Sequence, residues 1–74
     1  MTTLAQAKIN KFFKISGYQN LPDKILRRLC DLGLTQGQQV CVRARSLLKK
    51  ALLIEVRGYE LSLKSDIAKG VILE

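Results

Sequence analysis

The 74-residue sequence contains no histidine, only two cysteines and only one proline. Without histidine, the chain lacks the usual proton shuttle at neutral pH and the commonest transition-metal ligand. Its six acidic residues form no close cluster in the sequence, which disfavours a paired-carboxylate or carboxylate–metal site. The motifs GxxxxGK[ST], GxGxxG and GxSxG, which cradle a phosphate or present a nucleophile, are also missing. We therefore expect a protein that is not an enzyme and has no cofactor and no metal site.

The two cysteines, Cys30 and Cys41, fit neither a CxxC motif nor a zinc-finger spacing. We expect both to be reduced thiols that pack as small hydrophobic side chains. Direct metal binding through this pair is an alternative hypothesis. No apolar run approaches the roughly 18 residues that span a bilayer, and the first residues lack the apolar core of a secretory signal. A cytoplasmic location is the expectation.

A chain of this length is expected to form one domain, residues 1–74, with a thin stability margin. Thirteen Lys and Arg against six Asp and Glu give a net charge of +7, which favours anionic partners such as nucleic acid, lipid headgroups or an acidic protein face. Aromatic residues make up only 5% of the chain, and readers of single-stranded nucleic acid usually stack bases on aromatic rings. Nucleic acid is thus an unlikely partner, and a nucleic-acid-binding small barrel is kept as the alternative function.

The first half of the chain predicts one strand followed by one helix. The segment FKISGY, residues 13–18, alternates apolar and polar side chains, which is typical of a half-buried strand. Apolar residues then recur at helical spacing from Leu21 to Leu32, with Asn20 and Asp23 as a possible capping pair. Gly33 should end this helix in a left-handed conformation, with Leu34 folding back onto Leu29.

The second half predicts four further strands. In QQVCVRARS the residues Val40, Val42 and Ala44 should face the core, while Cys41, Arg43 and Arg45 face outward. The next strand should bury Leu52, Ile54 and Val56, and a reversal at Gly58 and Tyr59 should lead into a strand that buries Leu61 and Leu63. A helical turn at 67–69, capped by Ser65 and Asp66, precedes the last strand, VILE. A mainly β chain with five short strands and one inserted helix is typical of a small, closed SH3-like barrel.

The predicted partner-binding surface combines basic strand residues with one loop. Four basic side chains should project from three consecutive strands and form a basic face. Two leucines in the loop after the second predicted strand are either exposed apolar residues of a protein contact or part of an inward-folded loop. The complete set consists of Arg43, Arg45, Leu47, Leu48, Lys49, Lys50, Arg57 and Lys64.

The segments LRRLCDLGLTQGQQVCVRARS and LLIEVRGYELSLKSDIAKGVILE resemble the FeoA family, as does the opening TLAQAKINKFFKISGY. The shared pattern is a helix ending in Leu-Gly-Leu, a turn ending in glycine, a Val-x-Val strand and a glycine reversal into a Leu-x-Leu strand. Its residues here are Leu32, Gly33, Leu34, Gly37, Val40, Val42, Gly58, Leu61 and Leu63. Where a Pro-Gly turn often precedes the first strand, this chain has Ile9-Asn10, and asparagine tolerates the left-handed geometry.

The resemblance implies a small cytoplasmic SH3-like protein that accompanies the membrane ferrous-iron transporter FeoB. It implies a non-enzymatic accessory or regulatory role in iron uptake, through contact with the cytoplasmic GTPase domain of FeoB. We expect a monomer that does not insert into the membrane, because the sequence offers no self-complementary device such as a heptad seam.

Overall fold

The computed structural model describes residues 2–74, so Met1 of the expected domain lies outside the described residues. The strands are antiparallel and hydrogen-bonded in one sheet. In chain order the elements are β1 (Thr2–Thr3), a 3-10 turn (Leu4–Gln6), β2 (Phe12–Tyr18), α1 (Asp23–Asp31), β3 (Gln39–Arg45), β4 (Ala51–Val56), β5 (Tyr59–Lys64), α2 (Ser65–Ala68) and β6 (Val71–Leu73). The predicted mainly β fold with one main helix is confirmed.

The strand order in the sheet is β1-β6-β2-β3-β4-β5, which includes one strand more than the sequence predicts. The additional strand, β1, has only two residues, and Thr2 and Thr3 pair with Leu73 and Ile72 of β6. Two residues are too few to show a period of alternation, which is why the sequence does not reveal this strand.

The sheet buries the residues that alternate inward along each strand. Leu52, Ile54 and Val56 of β4 are each at most 2% exposed, which confirms the predicted strand and its inward face. Leu63 of β5 is 5% exposed, and Leu61 is partly buried against the same core. Together with side chains from α1, α2 and the 3-10 turn, these residues form one continuous hydrophobic core.

The predicted alternation of β3 is wrong at its end. Val40 and Val42 are buried as expected, but the pairing with β4 shifts register between Val42 and Ala44. A β-bulge of this kind changes which side chains face the core, so Ala44 is exposed and Arg45 is partly buried. The bulge turns Arg45 away from the expected outer face and towards the carbonyls of Ala5 and Ala7.

Helix α1 begins at Asp23, two residues later than predicted, with Pro22 at the N-cap. The predicted Asn20–Asp23 capping pair is wrong: the N-cap makes no side-chain hydrogen bond, and Asn20 itself has a positive φ of 53°. Pro22 has no N–H, so one of the donors that a helix start leaves unpaired is absent here.

The end of α1 confirms the predicted glycine cap. Gly33 has φ +89°. The backbone N–H of Leu34 donates to the carbonyl of Leu29 at 2.9 Å, and the N–H of Gly33 donates to the carbonyl of Cys30 at 3.0 Å. This pair of bonds is the Schellman motif, in which the residue after the glycine packs back onto the helix. Leu34 and Leu29 are both buried in the core.

The β4–β5 hairpin reverses at Arg57 and Gly58, one residue earlier than predicted. Both have positive φ, 54° and 84°, and Val56 pairs directly with Tyr59. Two central residues with positive φ define the tight turn that matches the twist of a hairpin. Before β2, Asn10 has φ 65°, which confirms that this asparagine takes the left-handed geometry.

The sheet order ends at β1 and β5, so the expectation of a fully closed barrel is wrong for residues 2–74. Helix α2 contacts both β5 and the 3-10 turn and so covers the space between these two ends. Helix α1 lies beside β5, where Ile25 and Leu32 line a depression of about 270 Å³ with Leu63 and Ile67. Of the two helices, α2 therefore shields sheet ends that would otherwise be open to other chains. Neither of them is long and apolar enough to cross a membrane.

Candidate functional site

The tip of the β3–β4 hairpin carries the most exposed apolar side chains of the described chain. Leu47 is 99% exposed and Leu48 is 74% exposed. Of the two alternatives that the sequence left open, the exposed loop is the one observed. We call these two residues the leucine tip. Exposed leucine side chains are unfavourable in water. Neighbouring exposed apolar residues are typical of a surface that binds another protein.

The leucine tip is held by a network of hydrogen bonds. The backbone N–H of Ser46 donates to the carbonyl of Ala51 at 2.9 Å, and the N–H of Lys49 donates to the carbonyl of Ser46 at 2.9 Å. The hydroxyl of Ser46 also accepts from the N–H groups of Lys50 and Ala51 at 3.0 and 3.1 Å. Because these bonds fix the loop backbone, the loop loses little further conformational entropy when the leucines bind a partner.

A serine of α2 anchors the same loop from the other side. The N–H of Ser65 donates to the carbonyl of Lys50 at 2.9 Å, and its hydroxyl donates to the carbonyl of Lys49 at 2.6 Å. The prediction that Ser65 and Asp66 cap α2 is wrong, because the N-cap is Lys64 and makes no side-chain bond. Ser65 instead joins the hairpin to α2.

Four lysines surround this anchor point. They line a depression of about 510 Å³ together with Ser65 and Asp66, and a neighbouring depression of about 500 Å³ shares Lys49, Ser65 and Lys69. We call this region the lysine cleft, formed by Lys49, Lys50, Lys64 and Lys69. Lys69 was not among the predicted residues, since only the fold of α2 brings it beside the hairpin.

Arg43 does not take part in this surface. Its Nη2 and Nε donate to Oε1 of Glu55 at 2.8 and 3.0 Å, its Nη1 donates to Oδ1 of Asn10 at 3.0 Å, and its guanidinium lies 5.4 Å from the ring of Phe12. Hydrogen bonding to the carboxylate of Glu55 raises the pKa of Arg43 above its usual value. Four contacts make Arg43 a link between β2, β3 and β4.

Arg45 and Arg57 are also engaged elsewhere. Arg45 Nη2 donates to the carbonyls of Ala5 and Ala7 at 3.0 and 2.5 Å, and so ties β3 to the segment around the 3-10 turn. The Cδ of Arg57 lies 3.0 Å from where a Cβ on Gly33 would be placed, which puts this side chain against the end of α1. The continuous basic face expected from the sequence is therefore not formed.

The eight predicted residues thus divide into two groups. Leu47, Leu48, Lys49, Lys50 and Lys64 come together around the hairpin tip. Arg43 and Arg57 lie elsewhere, and Arg45, which lines the neighbouring depression of about 500 Å³, is bonded to the carbonyls of Ala5 and Ala7. Because register and loop contacts decide this division, alternation along single strands could not predict it.

The two cysteines differ in their surroundings. Both are free thiols; Cys41 is buried as predicted, but Cys30 on α1 is exposed, so the prediction of a packed side chain is wrong for Cys30. The residues paired with Cys41 on the two adjacent strands are Phe12 of β2 and Glu55 of β4. Within residues 2–74, no group of three or more His, Cys, Asp or Glu side chains could hold a metal ion.

A family model, the FeoA domain, matches residues 2–74. The chain belongs to the FeoA family. Its fold is that of FeoA of Stenotrophomonas maltophilia complexed with zinc, described as an SH3 domain protein possibly acting as a bacterial ferrous iron transport activating factor. That protein is 27% identical, with a TM-score of 0.85 over 100% of this chain and 91% of the other.

Two further FeoA structures show the same fold. The FeoA-like protein of Clostridium acetobutylicum is 26% identical, with a TM-score of 0.83 over 100% of this chain and 88% of that one. FeoA of Chlorobium tepidum is 23% identical, with a TM-score of 0.88 over 99% of this chain and 69% of that one. No curated protein sequence matches the chain. The predicted SH3-like fold and the resemblance to FeoA are confirmed.

Proposed function

We propose that this FeoA-family protein is a non-enzymatic accessory factor of ferrous-iron uptake that binds the GTPase domain of FeoB in the cytoplasm, as a single domain and a monomer. The observation that carries the proposal is the leucine tip, since Leu47 and Leu48 are 99% and 74% exposed on a loop that hydrogen bonds hold in place. Family membership supports the link to iron transport, and the Stenotrophomonas maltophilia protein is described as a possible activating factor of that transport.

The physical basis of the contact is burial of apolar surface. Fully burying a leucine side chain contributes about 1.5–3 kcal/mol relative to leaving it in water. Leu47 and Leu48 protrude, so they suit an apolar pocket on the partner, and the ordered loop lowers the entropy cost of association.

The test is binding of the protein to the purified FeoB GTPase domain, with wild type compared with Leu47→Ser/Leu48→Ser. We expect the double variant to bind at least about tenfold more weakly, because two buried leucines contribute more than the roughly 1.4 kcal/mol that a tenfold change requires. Its unfolding midpoint should stay close to that of wild type, since two exposed side chains contribute little to the core.

Ile9→Ser is the matched control, because Ile9 is a half-exposed aliphatic residue outside the tip. This variant should bind as wild type does. Equal affinity of the wild type and the leucine variant would contradict the assignment of the contact to the tip. Charge reversal at Arg43 and Arg45 is unsuitable as a test, since it would remove contacts that hold β2, β3 and the 3-10 turn together.

A further inference from the structure

The lysine cleft concentrates positive charge that the chain does not neutralise. Among residues 2–74, Lys49, Lys50 and Lys64 form no ion pair with an acidic side chain. The one acidic residue that lines the cleft, Asp66, lies 3.7 Å from Lys69, and both side chains are largely exposed, so this pair is weak. Three like charges around one depression repel one another, and an anionic ligand would relieve that repulsion.

The shape of the cleft separates it from the leucine tip. The tip is convex and apolar, whereas the lysines border two adjoining depressions of about 500 and 510 Å³. The polar groups of Ser65, which lines both depressions, are already bonded to the hairpin carbonyls. The charge of the cleft therefore comes from flexible lysine ammonium groups around its border.

The composition of the cleft indicates which anion it takes. Lysine is depleted at the core of protein–protein interfaces, where arginine and aromatic residues are enriched, and the four cationic residues that line the depression of about 510 Å³ are all lysines. Arg45 lines the neighbouring depression, but its guanidinium is bonded to the carbonyls of Ala5 and Ala7. A lysine ammonium is a point charge without the fixed fork that matches a carboxylate, and it suits phosphates that can move. No aromatic side chain lines either depression to stack a base, which disfavours nucleic acid.

We propose that the lysine cleft binds the phosphate groups of an anionic membrane surface. The proposal goes beyond the contact with FeoB and does not depend on it. Basic residues near an anionic lipid surface each strengthen binding by about fivefold, so a cluster of four gives a measurable preference for anionic over neutral lipid. The attraction should weaken with added salt, as surface charges are screened.

The test is co-sedimentation of the protein with vesicles of phosphatidylcholine alone or with phosphatidylglycerol added, across a salt series. We expect binding to the anionic vesicles only, decreasing as salt rises. Lys50→Gln/Lys64→Gln should weaken this binding by roughly 25-fold, since two of the contributing charges are removed. Lys50→Arg/Lys64→Arg keeps the charge and should bind as wild type does.

Lys11→Gln/Lys14→Gln is the control for net charge, because it removes two charges from exposed lysines that line neither depression. It should retain most of the vesicle binding. An equal loss in this control would show that net charge alone is responsible and would overturn the proposal. So would binding of wild type to inorganic phosphate, a duplex oligonucleotide or an acidic peptide without binding to anionic vesicles.

The two proposals fail separately. Leu47→Ser/Leu48→Ser should lose affinity for the FeoB domain and keep most of the vesicle binding. Lys50→Gln/Lys64→Gln should keep its affinity for the FeoB domain and lose vesicle binding. If the wild type binds the FeoB domain but shows no preference for anionic vesicles, the lysine cleft is not a lipid site and the proposed function stands.

Discussion

Two tyrosines donate hydrogen bonds to backbone carbonyls at the end of α1 and in the residues just after it. The last carbonyls of a helix have no partner within the helix. The hydroxyl of Tyr18, from β2, donates to the carbonyl of Leu34 at 2.5 Å, and that of Tyr59, from β5, donates to the carbonyl of Leu32. Side chains from two strands therefore fix the position of the helix end. At this scale, single polar groups decide how α1 is attached to the sheet.

The contribution of Tyr18 to the stability of the protein depends on pH. Burial raises the pKa of the Tyr18 hydroxyl above its usual value, and the charge of a nearby Cys30 thiolate raises it further. Ionisation of Tyr18 is less favourable in the folded than in the unfolded chain. The stabilisation that Tyr18 contributes is therefore fully present below its pKa in the unfolded chain, which is about 10. That contribution is lost as the pH rises through the higher pKa of Tyr18 in the folded protein.

We expect Tyr18→Phe to lower the free energy of unfolding by about 1 kcal/mol at pH 7, through loss of the hydrogen bond to Leu34. Above pH 10 the variant should lose stability less steeply than wild type, since the titrating group is gone. Urea unfolding of both proteins from pH 7 to pH 11 measures the difference. The same alkaline slope in both would show that Tyr18 does not contribute to it.

The junction between α1 and β3 depends on glycines in left-handed geometry. Gly33 and Gly37 have nearly the same φ, +89° and +88°, but a Cβ on Gly33 would lie 3.0 Å from Arg57, whereas one on Gly37 would have nothing within 4 Å. The two positions therefore separate the cost of backbone conformation from the cost of a close contact.

Gly37→Ala should destabilise the protein by about 1–2 kcal/mol, the cost of left-handed geometry for a residue with a Cβ. Gly33→Ala should cost more, because the side chain of Arg57 must also move. Urea unfolding of the two variants at pH 7 gives the comparison. Gly17→Ala serves as a control, since a Cβ there meets nothing within 4 Å. If Gly33→Ala cost no more than Gly37→Ala, the contact with Arg57 would be unimportant.

Sequence patterns predicted those elements whose signals are local. The alternation of β4 and the Leu-Gly-Leu end of α1 were confirmed because each depends on neighbouring residues only. The bulge after Val42 was not predictable, since it arises from how β3 pairs with β4. For the same reason the sequence placed Arg45 on the outer face, whereas its partners are carbonyls some forty positions earlier in the chain. The lysine cleft likewise needs α2 beside the hairpin.

At the scale of the whole molecule, the core stabilises the fold and the exposed hairpin provides the contact surface. Side chains from the strands, both helices and the 3-10 turn share one core, which holds the sheet together in a chain of only 74 residues. The β3–β4 hairpin protrudes from that core and is fixed by Ser46 and Ser65. A rigid scaffold can therefore present two leucines to a partner without losing core contacts.

The most direct test of the proposed function is residue-by-residue NMR of the ¹⁵N-labelled protein titrated with the unlabelled FeoB GTPase domain. We predict that the largest amide shifts fall within residues 46–50. Shifts centred on the outer face around Phe12 and Arg43, or no shifts at all, would contradict the assignment of the contact to the leucine tip.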